Sequence, residues 1–244
     1  MGQKKLIRFA ELKEFPNVRE FPKDAAGSWH AFFGNKNPIT LALACGKGEY
    51  TVGLARLHPK QNFIGVDIKG NRIWVGAKKA ITENLHNAGF LRTQIEQLPE
   101  YFAPGEVSEI WITFPDPQLR FSKAKKRLTH PGFLRRYQSI LVPNGKIHLK
   151  TDSPHLYRFT KLVTSFYGCP VHEESDNVYH WEKLNDDLRI KTHYESLDIA
   201  GSKRIHYCCF SLPADLGDKT RDLQFKELLL QEEGPEESNS GLNH

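Results

Sequence analysis

Short apolar runs alternate with segments of helical periodicity through the middle of the chain. The first run, residues 39–45, is too short for a helix and ends at Gly46-Lys47-Gly48, which is typical of a buried parallel strand followed by a turn. From Ile73 to Ala88 apolar residues recur at the spacing of an amphipathic helix. The same two patterns predict further strands at 62–67, 90–94, 109–114 and 146–151 and further helices at 49–58, 133–141 and 155–166.

This alternation predicts an α/β fold with a doubly wound, mostly parallel sheet of the Rossmann type. Two late apolar segments, 189–195 and 205–212, are predicted strands, so the last pairing is expected to be antiparallel. We divide the chain into a basic, irregular and partly mobile arm (1–38), a central domain (39–214) and an acidic, polar, dispensable tail (215–244).

Charge is distributed unevenly along the chain. The formal net charge is +5, but residues 215–244 carry a net charge of −5 and residues 1–214 a net charge of +10. Between Pro117 and Thr151 there is no carboxylate, whereas nine side chains are lysine or arginine. A solvated surface loop would usually mix the two signs, so this basic segment indicates a surface for nucleic acid or another polyphosphate.

Composition sets limits on the class of protein. A chain of 244 residues with 39% hydrophobic residues is long enough for one large α/β domain. No apolar run approaches the roughly 20 residues that a membrane-spanning helix needs. The four cysteines form no C-x-x-C pair, so neither a disulfide framework nor a zinc site is indicated. We therefore expect a cytoplasmic protein that binds neither metal nor membrane.

The glycine turn after the first strand suggests a nucleotide-like cofactor. Gly46 and Gly48 let the backbone approach a ligand at the start of a helix. Thr51 stands where a dinucleotide-binding fingerprint would have its third glycine, and no Walker motif is present. Asp67 ends the second strand, where a carboxylate can accept both ribose hydroxyls of an adenosine. The alternative is a simple turn, with Asp67 capping the next element.

A second candidate site lies at the end of the strand 109–114. In Phe114-Pro-Asp-Pro117 the two prolines restrict the backbone on either side of Asp116. Open α/β sheets bind their ligands at this end of the central strands. A turn that merely ends the strand is the alternative, but the basic segment begins immediately afterwards at Arg120.

Together these motifs resemble one enzyme family. The matching elements, in order, are Leu43-Ala-Cys-Gly-Lys-Gly-Glu49, Gly65-Val-Asp67, Phe114-Pro-Asp-Pro117 with the basic residues that follow, Lys150-Thr-Asp152 and Thr192-His-Tyr-Glu195. They look like the bacterial tRNA (guanine-46-N7)-methyltransferase family, which uses S-adenosylmethionine on a class I methyltransferase fold. The resemblance covers about residues 28–212.

The resemblance implies roles for individual residues. Gly46, Gly48 and Asp67 would bind the cofactor, with Gln94 beside the adenine, and Asp116 would face both cofactor and target base as the catalytic residue. Positions that the family uses for the substrate guanosine are occupied here by Arg120, Asp152, Thr192 and Glu195. The implied contacts with the tRNA backbone come from Lys123, Lys125, Lys126 and Arg127.

The sequence also departs from the family pattern. Ala42 stands where the family usually has a glutamate near the methionine end of the cofactor, and Gln118 replaces a common tryptophan. Ala42 leaves open an RNA-binding module of this fold that has lost catalysis. A nicotinamide-dependent oxidoreductase is the other alternative, which the missing third glycine at Thr51 disfavours. Asp152 could instead cap the following helix. A monomer and a homodimer are both compatible with the sequence.

Overall fold

A single eight-stranded sheet forms the centre of the computed structural model, which describes residues 2–197 and 204–234. Its strands, in chain order, are β1 (Val18–Glu20), β2 (Ile39–Leu43), β3 (Asn62–Asp67), β4 (Ala88–Arg92), β5 (Val107–Thr113), β6 (Leu141–Thr151), β7 (Val171–Ser175) and β8 (His206–Ser211). They lie side by side in the order β1-β4-β3-β2-β5-β6-β8-β7. Strands β1 to β6 pair in parallel, and β8 pairs antiparallel with both β6 and β7. The predicted mostly parallel sheet with an antiparallel end is confirmed.

Helices cover both faces of the sheet. They are α1 (Gly2–Glu14), α2 (Trp29–Phe33), α3 (Glu49–Leu57), α4 (Gly70–Thr82), α5 (Leu98–Tyr101), α6 (Pro131–Gln138), α7 (Pro154–Tyr167), α8 (Asp186–Arg189), α9 (His193–Leu197) and α10 (Lys219–Glu233). Alternate strand residues face opposite sides, so Leu41 and Leu43 pack in one core with α2, α5, α6, α7 and α10, whereas Ala42 packs in the other with α3 and α4. The predicted doubly wound arrangement is therefore confirmed.

The winding creates a crevice at the carboxyl ends of the central strands. From β2 the chain proceeds outward through β3 and β4, and then crosses to the other side of β2 to form β5 and β6. The loops after β2 and β5 therefore run in opposite directions away from their strands. This is the topological switch point at which open α/β sheets bind ligands.

Residues ahead of the first predicted strand are more regular than expected. The expectation of an irregular arm over 1–38 is wrong for its described part, because α1 packs on α4 through Leu12 and β1 pairs with β4. Trp74 of α4 donates a 2.7 Å hydrogen bond to Glu11 of α1 and also packs against the Arg8 guanidinium. The sheet thus begins at Val18, ahead of residue 39.

The acidic end of the chain also contributes to the core. Asp218 caps α10 by accepting from the backbone N–H groups of Thr220 and Arg221, and Phe225 and Leu229, one helical turn apart, are almost fully buried. Burying two such side chains contributes roughly 1.5–3 kcal/mol each. The expectation of a polar tail without a core contribution is therefore wrong for residues 219–233, whereas its being dispensable stays a prediction. Residues 235–244 lie outside the described part.

The segment 189–195, predicted as a strand, instead joins two short helices. Asn185 caps α8, and the Thr192 hydroxyl accepts a 3.1 Å hydrogen bond from the backbone N–H of Glu195 at the start of α9. Threonine followed three residues later by glutamate is the sequence signature of a helix N-terminus. These local side-chain bonds satisfy backbone groups that a strand would have paired with a neighbour. The other late strand, predicted at 205–212, is confirmed as β8.

Candidate active site

The glycine turn after β2 is attached to the end of β3 by one carboxylate. Asp67 is 8% exposed, and its two oxygens accept hydrogen bonds from the backbone N–H groups of Gly46 (3.0 Å) and Lys69 (2.8 Å). Charge-assisted bonds of this kind are stronger than neutral ones. Asp67 therefore fixes the shape of the turn and also caps the chain after its own strand. A carboxylate has about four lone-pair sites, so it can still accept from a ligand.

Gly46 and Gly48 have different structural roles in this turn. Gly46 has a φ of 57°, and a Cβ atom there would meet only the Ala44 carbonyl oxygen, at 4.0 Å, so its side of the turn is open. Gly48 has a φ of 74°, and a Cβ atom there would lie 2.8 Å from the Phe90 ring and 3.0 Å from Gly76. Gly46 thus leaves room for a ligand, whereas Gly48 allows α3 and α4 to pack closely.

A cavity of about 360 Å³ brings three of the predicted site residues together at the carboxyl edge. Asp67 comes from the end of β3, Gln94 from the turn after β4 and Asp116 from the loop after β5. Its walls also include apolar groups from Ala44, Ile68, Ile95, Pro115, Leu128 and Phe133. Its volume lies in the range of small-molecule sites, in which a mostly apolar wall surrounds a few polar groups. An adenosine cofactor without a diphosphate fits this chemistry.

The loop that carries Asp116 has an unusual backbone. Phe114 and Gln118, on either side of the Pro-Asp-Pro element, have φ values of 49° and 47°, a left-handed conformation that costs a non-glycine residue roughly 1–2 kcal/mol. Asp116 is exposed at the cavity, and its Oδ1 accepts a 3.0 Å hydrogen bond from the backbone N–H of Gln118. The carboxylate is therefore held by its own loop with one oxygen available to a ligand.

Three of the predicted guanosine residues, Asp152, Thr192 and Glu195, lie at the end of β6 or on a segment bonded to it. Ser153, and not Asp152, caps α7, because its hydroxyl accepts from the Leu156 N–H at 3.2 Å; the capping alternative for Asp152 is thus set aside. Next to it, the buried Lys150 ammonium donates to Glu195 at 2.9 Å. Glu195 also accepts from the Tyr179 hydroxyl.

Lys150 connects this region to the neighbouring strand and helix. Its carbonyl oxygen accepts a 2.9 Å bond from the N–H of Phe114, and its ammonium donates to the carbonyl oxygens of Leu188 (2.8 Å) and Ile190 (2.9 Å). Burial lowers the pKa of the Lys150 ammonium, and the Glu195 carboxylate opposes that effect. Lys150 is one of the nine cations that the sequence assigned to a nucleic-acid surface, and that prediction is wrong for it because its side chain is 0% exposed. It instead holds the segment carrying Thr192 and Glu195 beside the Asp116 loop.

The basic segment divides into exposed and buried side chains. Lys123, Lys125 and Lys126 are exposed on a 3₁₀ helix at Phe121–Lys126, and Arg120 is exposed immediately before it. Arg127, in contrast, is 0% exposed and pairs with Glu233 of α10. The prediction that Arg127 contacts the tRNA backbone is therefore wrong, because its guanidinium does not reach the surface.

Ala42, the departure from the family pattern, is the last residue but one of β2. It is 2% exposed, belongs to an apolar cluster and pairs in register with Gly65 and Trp111. The Thr51 hydroxyl, 2.7 Å from where a Cβ of Gly65 would be, is buried and has no hydrogen-bond partner in the described residues. An acceptor is thus missing close to the position where the family usually has its glutamate.

Outside the cavity at the carboxyl edge, residues 2–197 and 204–234 show a larger groove and no metal site. A groove of about 1040 Å³ runs along α7 and α10, but none of the predicted cofactor or substrate residues lines it. Within these ranges no three histidine, cysteine, aspartate or glutamate side chains lie close enough to hold a metal ion. No helix there is long and apolar enough to cross a membrane.

Similarity to known proteins supports a methyltransferase. Residues 36–208 match a family described as putative methyltransferase. The chain is 47% identical over 224 residues to the tRNA (guanine-N(7)-)-methyltransferase of Bacteroides fragilis (strain YCH46), covering 88% of each chain. It is 38% identical to the protein of that name from Lactococcus lactis subsp. cremoris (strain SK11), covering 73% of this chain and 82% of the relative.

Solved structures share the fold at low identity. The 16S rRNA methyltransferase KamB superposes with a TM-score of 0.57 at 14% identity, covering 78% of this chain and 96% of that one. A structure described as an antibiotic related methyltransferase superposes with a TM-score of 0.56 at 18% identity, covering 81% and 96%. At these identities the likeness establishes the class I methyltransferase fold alone.

Proposed function

The chain belongs to the tRNA (guanine-N(7)-)-methyltransferase family, and we propose that it transfers a methyl group from S-adenosylmethionine to N7 of the guanine at position 46 of tRNA. The observation that carries the proposal is the meeting of Asp67, Gln94 and Asp116 in one cavity at the switch point of the sheet. The exposed lysines after Asp116 would place the RNA at the mouth of that cavity, and the enzyme would work in the cytoplasm.

Residues of the cavity fit an adenosine-containing cofactor. Asp67 would accept from the ribose hydroxyls with its remaining lone pairs, and Gln94 lines the wall where the adenine edge would be. The backbone of Gly46, which donates to Asp67, has open space where a side chain would be. When bound, S-adenosylmethionine supplies an activated methyl group on a positively charged sulfur. An apolar wall excludes water around this group and strengthens the electrostatic interactions near it.

Methylation at N7 places limited demands on the protein. The neutral guanine already has a lone pair on N7, so no residue has to remove a proton before the new N–C bond forms. The base becomes cationic as the methyl group arrives, and a nearby carboxylate favours that charge. The main tasks of the chain are therefore to align the two reactants and to present negative charge to the base.

Carboxylates at the ends of β5 and β6 suit this role. We assign Asp116 and Asp152 to the N1–H and N2–H₂ edge of the guanine, because each follows a central strand at the same edge of the sheet. Thr192 and Glu195 border the base from the other side, and Glu195 keeps lone pairs free beyond those used by Lys150 and Tyr179. Arg120 would contact the guanosine from the start of the basic helix.

The test is methyl transfer to an unmodified tRNA transcript. With S-adenosylmethionine labelled in the methyl group, we expect label in the RNA and 7-methylguanosine in its nucleoside digest. Calorimetry in parallel should show S-adenosylmethionine binding without RNA. Binding of tRNA without transfer at saturating cofactor would favour the alternative of a module that has lost catalysis.

A further inference from the structure

Arg127 is fixed on one side by the last turn of the chain's final described helix. Its guanidinium is fully buried and forms a bidentate pair with Glu233, with Nη1–Oε1 and Nη2–Oε2 distances of 2.6 and 3.0 Å. The guanidinium carbon lies 4.5 Å from the centre of the Phe159 ring, and His155 Nε2 is 3.3 Å from Glu233 Oε1. Bidentate geometry and ring stacking orient an arginine more strictly than a single ion pair does.

On its other side Arg127 holds the loop that follows Asp116. Its Nε donates to the carbonyl oxygen of Gln118 at 3.1 Å, and its Nη2 donates to that of Leu119 at 3.4 Å. Gln118 is the residue with a φ of 47°. The N–H of this strained residue donates to the Asp116 carboxylate and its C=O accepts from Arg127, so the residue is held from both sides.

From this chain of contacts we infer that Arg127 and Glu233 are positioning residues for Asp116. Glu233 orients Arg127, Arg127 keeps the loop at Gln118 and Leu119 in its left-handed turn, and that turn fixes the Asp116 carboxylate. The inference rests on the proposed role of Asp116 in methyl transfer. It gives the acidic C-terminal helix a function in the active site, although α10 begins at Lys219, far from the loop in the sequence.

Loss of the Glu233 charge should release the loop without emptying the core. A buried arginine that loses its carboxylate is an uncompensated charge and tends to move toward water. The carbonyl groups of Gln118 and Leu119 would then lose their donor, and the strained turn could relax. Phe225 and Leu229, which anchor α10, would stay buried, because they belong to the large apolar cluster of the core.

The experiment compares Glu233→Gln with Glu232→Gln, its exposed neighbour on the same helix. In Glu233→Gln we expect faster hydrogen exchange at the amides of 118–121 and a single-turnover methylation rate about ten- to hundredfold lower, the scale expected when a reacting group is misplaced. The reaction amplitude and the tRNA affinity should stay near those of the wild type. Glu232→Gln should match the wild type in every readout.

Two further comparisons separate positioning from a loss of folded protein. Unfolding would lower the amplitude of the single turnover, whereas a misplaced carboxylate lowers its rate constant. Because Glu233 acts through Arg127, Arg127→Met/Glu233→Gln should be no slower than Arg127→Met alone. A wild-type rate and wild-type exchange in Glu233→Gln would overturn the inference, as would fully additive effects in the double variant. If wild-type protein methylated no tRNA, the proposed function would fail, and hydrogen exchange at 118–121 would still decide whether Glu233 holds the loop.

Discussion

Replacing Lys150 by methionine tests whether a buried charge organises the substrate side of the site. The ammonium of this fully buried side chain donates to Leu188 O, Ile190 O and Glu195 Oε2, all within 2.9 Å. Methionine has a similar length but no donor and no charge. The substitution therefore keeps most of the packing while it removes the partner of two carbonyl groups and one carboxylate.

The size of the effect follows from the burial of the pair. The Glu195 side chain is only 4% exposed, so without Lys150 its charge would be left almost dry. Breaking a buried ion pair on one side costs about 3–5 kcal/mol, against about 0–1 kcal/mol for a surface pair. Desolvation outweighs the attraction of Glu195 in the pKa of Lys150, which lies below its usual value, so we take the lower end of this range, about 3 kcal/mol.

Thermal and chemical unfolding provide the assay. For a domain of this size a loss of about 3 kcal/mol corresponds to a decrease in Tm of roughly 6–12 °C. The double variant Lys150→Met/Glu195→Leu removes both charges and should recover part of the lost stability, because two apolar groups can replace a buried pair at little cost. A single variant within 1 kcal/mol of the wild type, or a double variant less stable than the single one, would refute the reasoning.

The same variant has a functional consequence that stability alone would not produce. At a temperature where Lys150→Met is folded, the segment 186–197 should be less fixed, so KM for tRNA should rise. The Kd for S-adenosylmethionine should stay within twofold of the wild type, because the cavity is lined by other residues. A weaker cofactor affinity with an unchanged KM for tRNA would contradict this division of roles.

Three further predictions concern charge. Asp116→Asn keeps an oxygen to accept the Gln118 N–H but loses the negative charge. Single-turnover methylation should therefore fall about a hundredfold with little change in Tm. A wild-type rate would remove Asp116 from the chemical step. Lys125→Ser/Lys126→Ser should weaken tRNA binding and reduce the slope of log K against log salt concentration by about 1.5–2. The control Lys36→Ser/Lys60→Ser, at the amino ends of β2 and β3, should leave the slope unchanged. Equal slopes for the two double variants would mean that the RNA binds at another surface. Burial disfavours the charged form of His148, but hydrogen bonds to Cys209 and Glu109 outweigh it and raise its pKa to about 9. Its contribution to the free energy of unfolding should therefore be complete below about pH 6.5 and lost as pH rises through 9. His148→Gln should remove that part of the pH dependence of stability, measured by urea unfolding.

Much of the fold could be predicted from local pattern. The segments predicted as strands at 39–45, 62–67 and 109–114 are apolar at most positions because helices cover both faces of the sheet, and such runs leave a clear signal. Two helices that the sequence analysis missed, α9 and α10, are indicated by only a few residues each. For α10 these are the capping residue Asp218 and the apolar pair Phe225 and Leu229, one turn apart. For α9 they are Thr192 and Glu195. Each set predicts a helix if the capping pattern is weighted above charge or β-branching.

The cofactor side of the site was predictable, whereas the contacts that support it were not. Asp67, Gln94 and Asp116 follow successive strands, so their meeting in one cavity follows from the topology. Sequence spacing gives no indication that Arg127 pairs with Glu233, 106 residues later, or that Lys150 is buried rather than exposed. In a basic segment every cation has the same apparent role, and only the packing of distant elements separates Arg127 from its lysine neighbours.

The most direct test of the account is to map the methyl group on the RNA. Wild-type protein, labelled S-adenosylmethionine and an unmodified tRNA transcript should give one modified nucleoside, 7-methylguanosine, at position 46. A transcript with adenosine at that position should bind with similar affinity and take up no label. Label on another atom or another nucleotide, or equal labelling of the two transcripts, would contradict the proposed function.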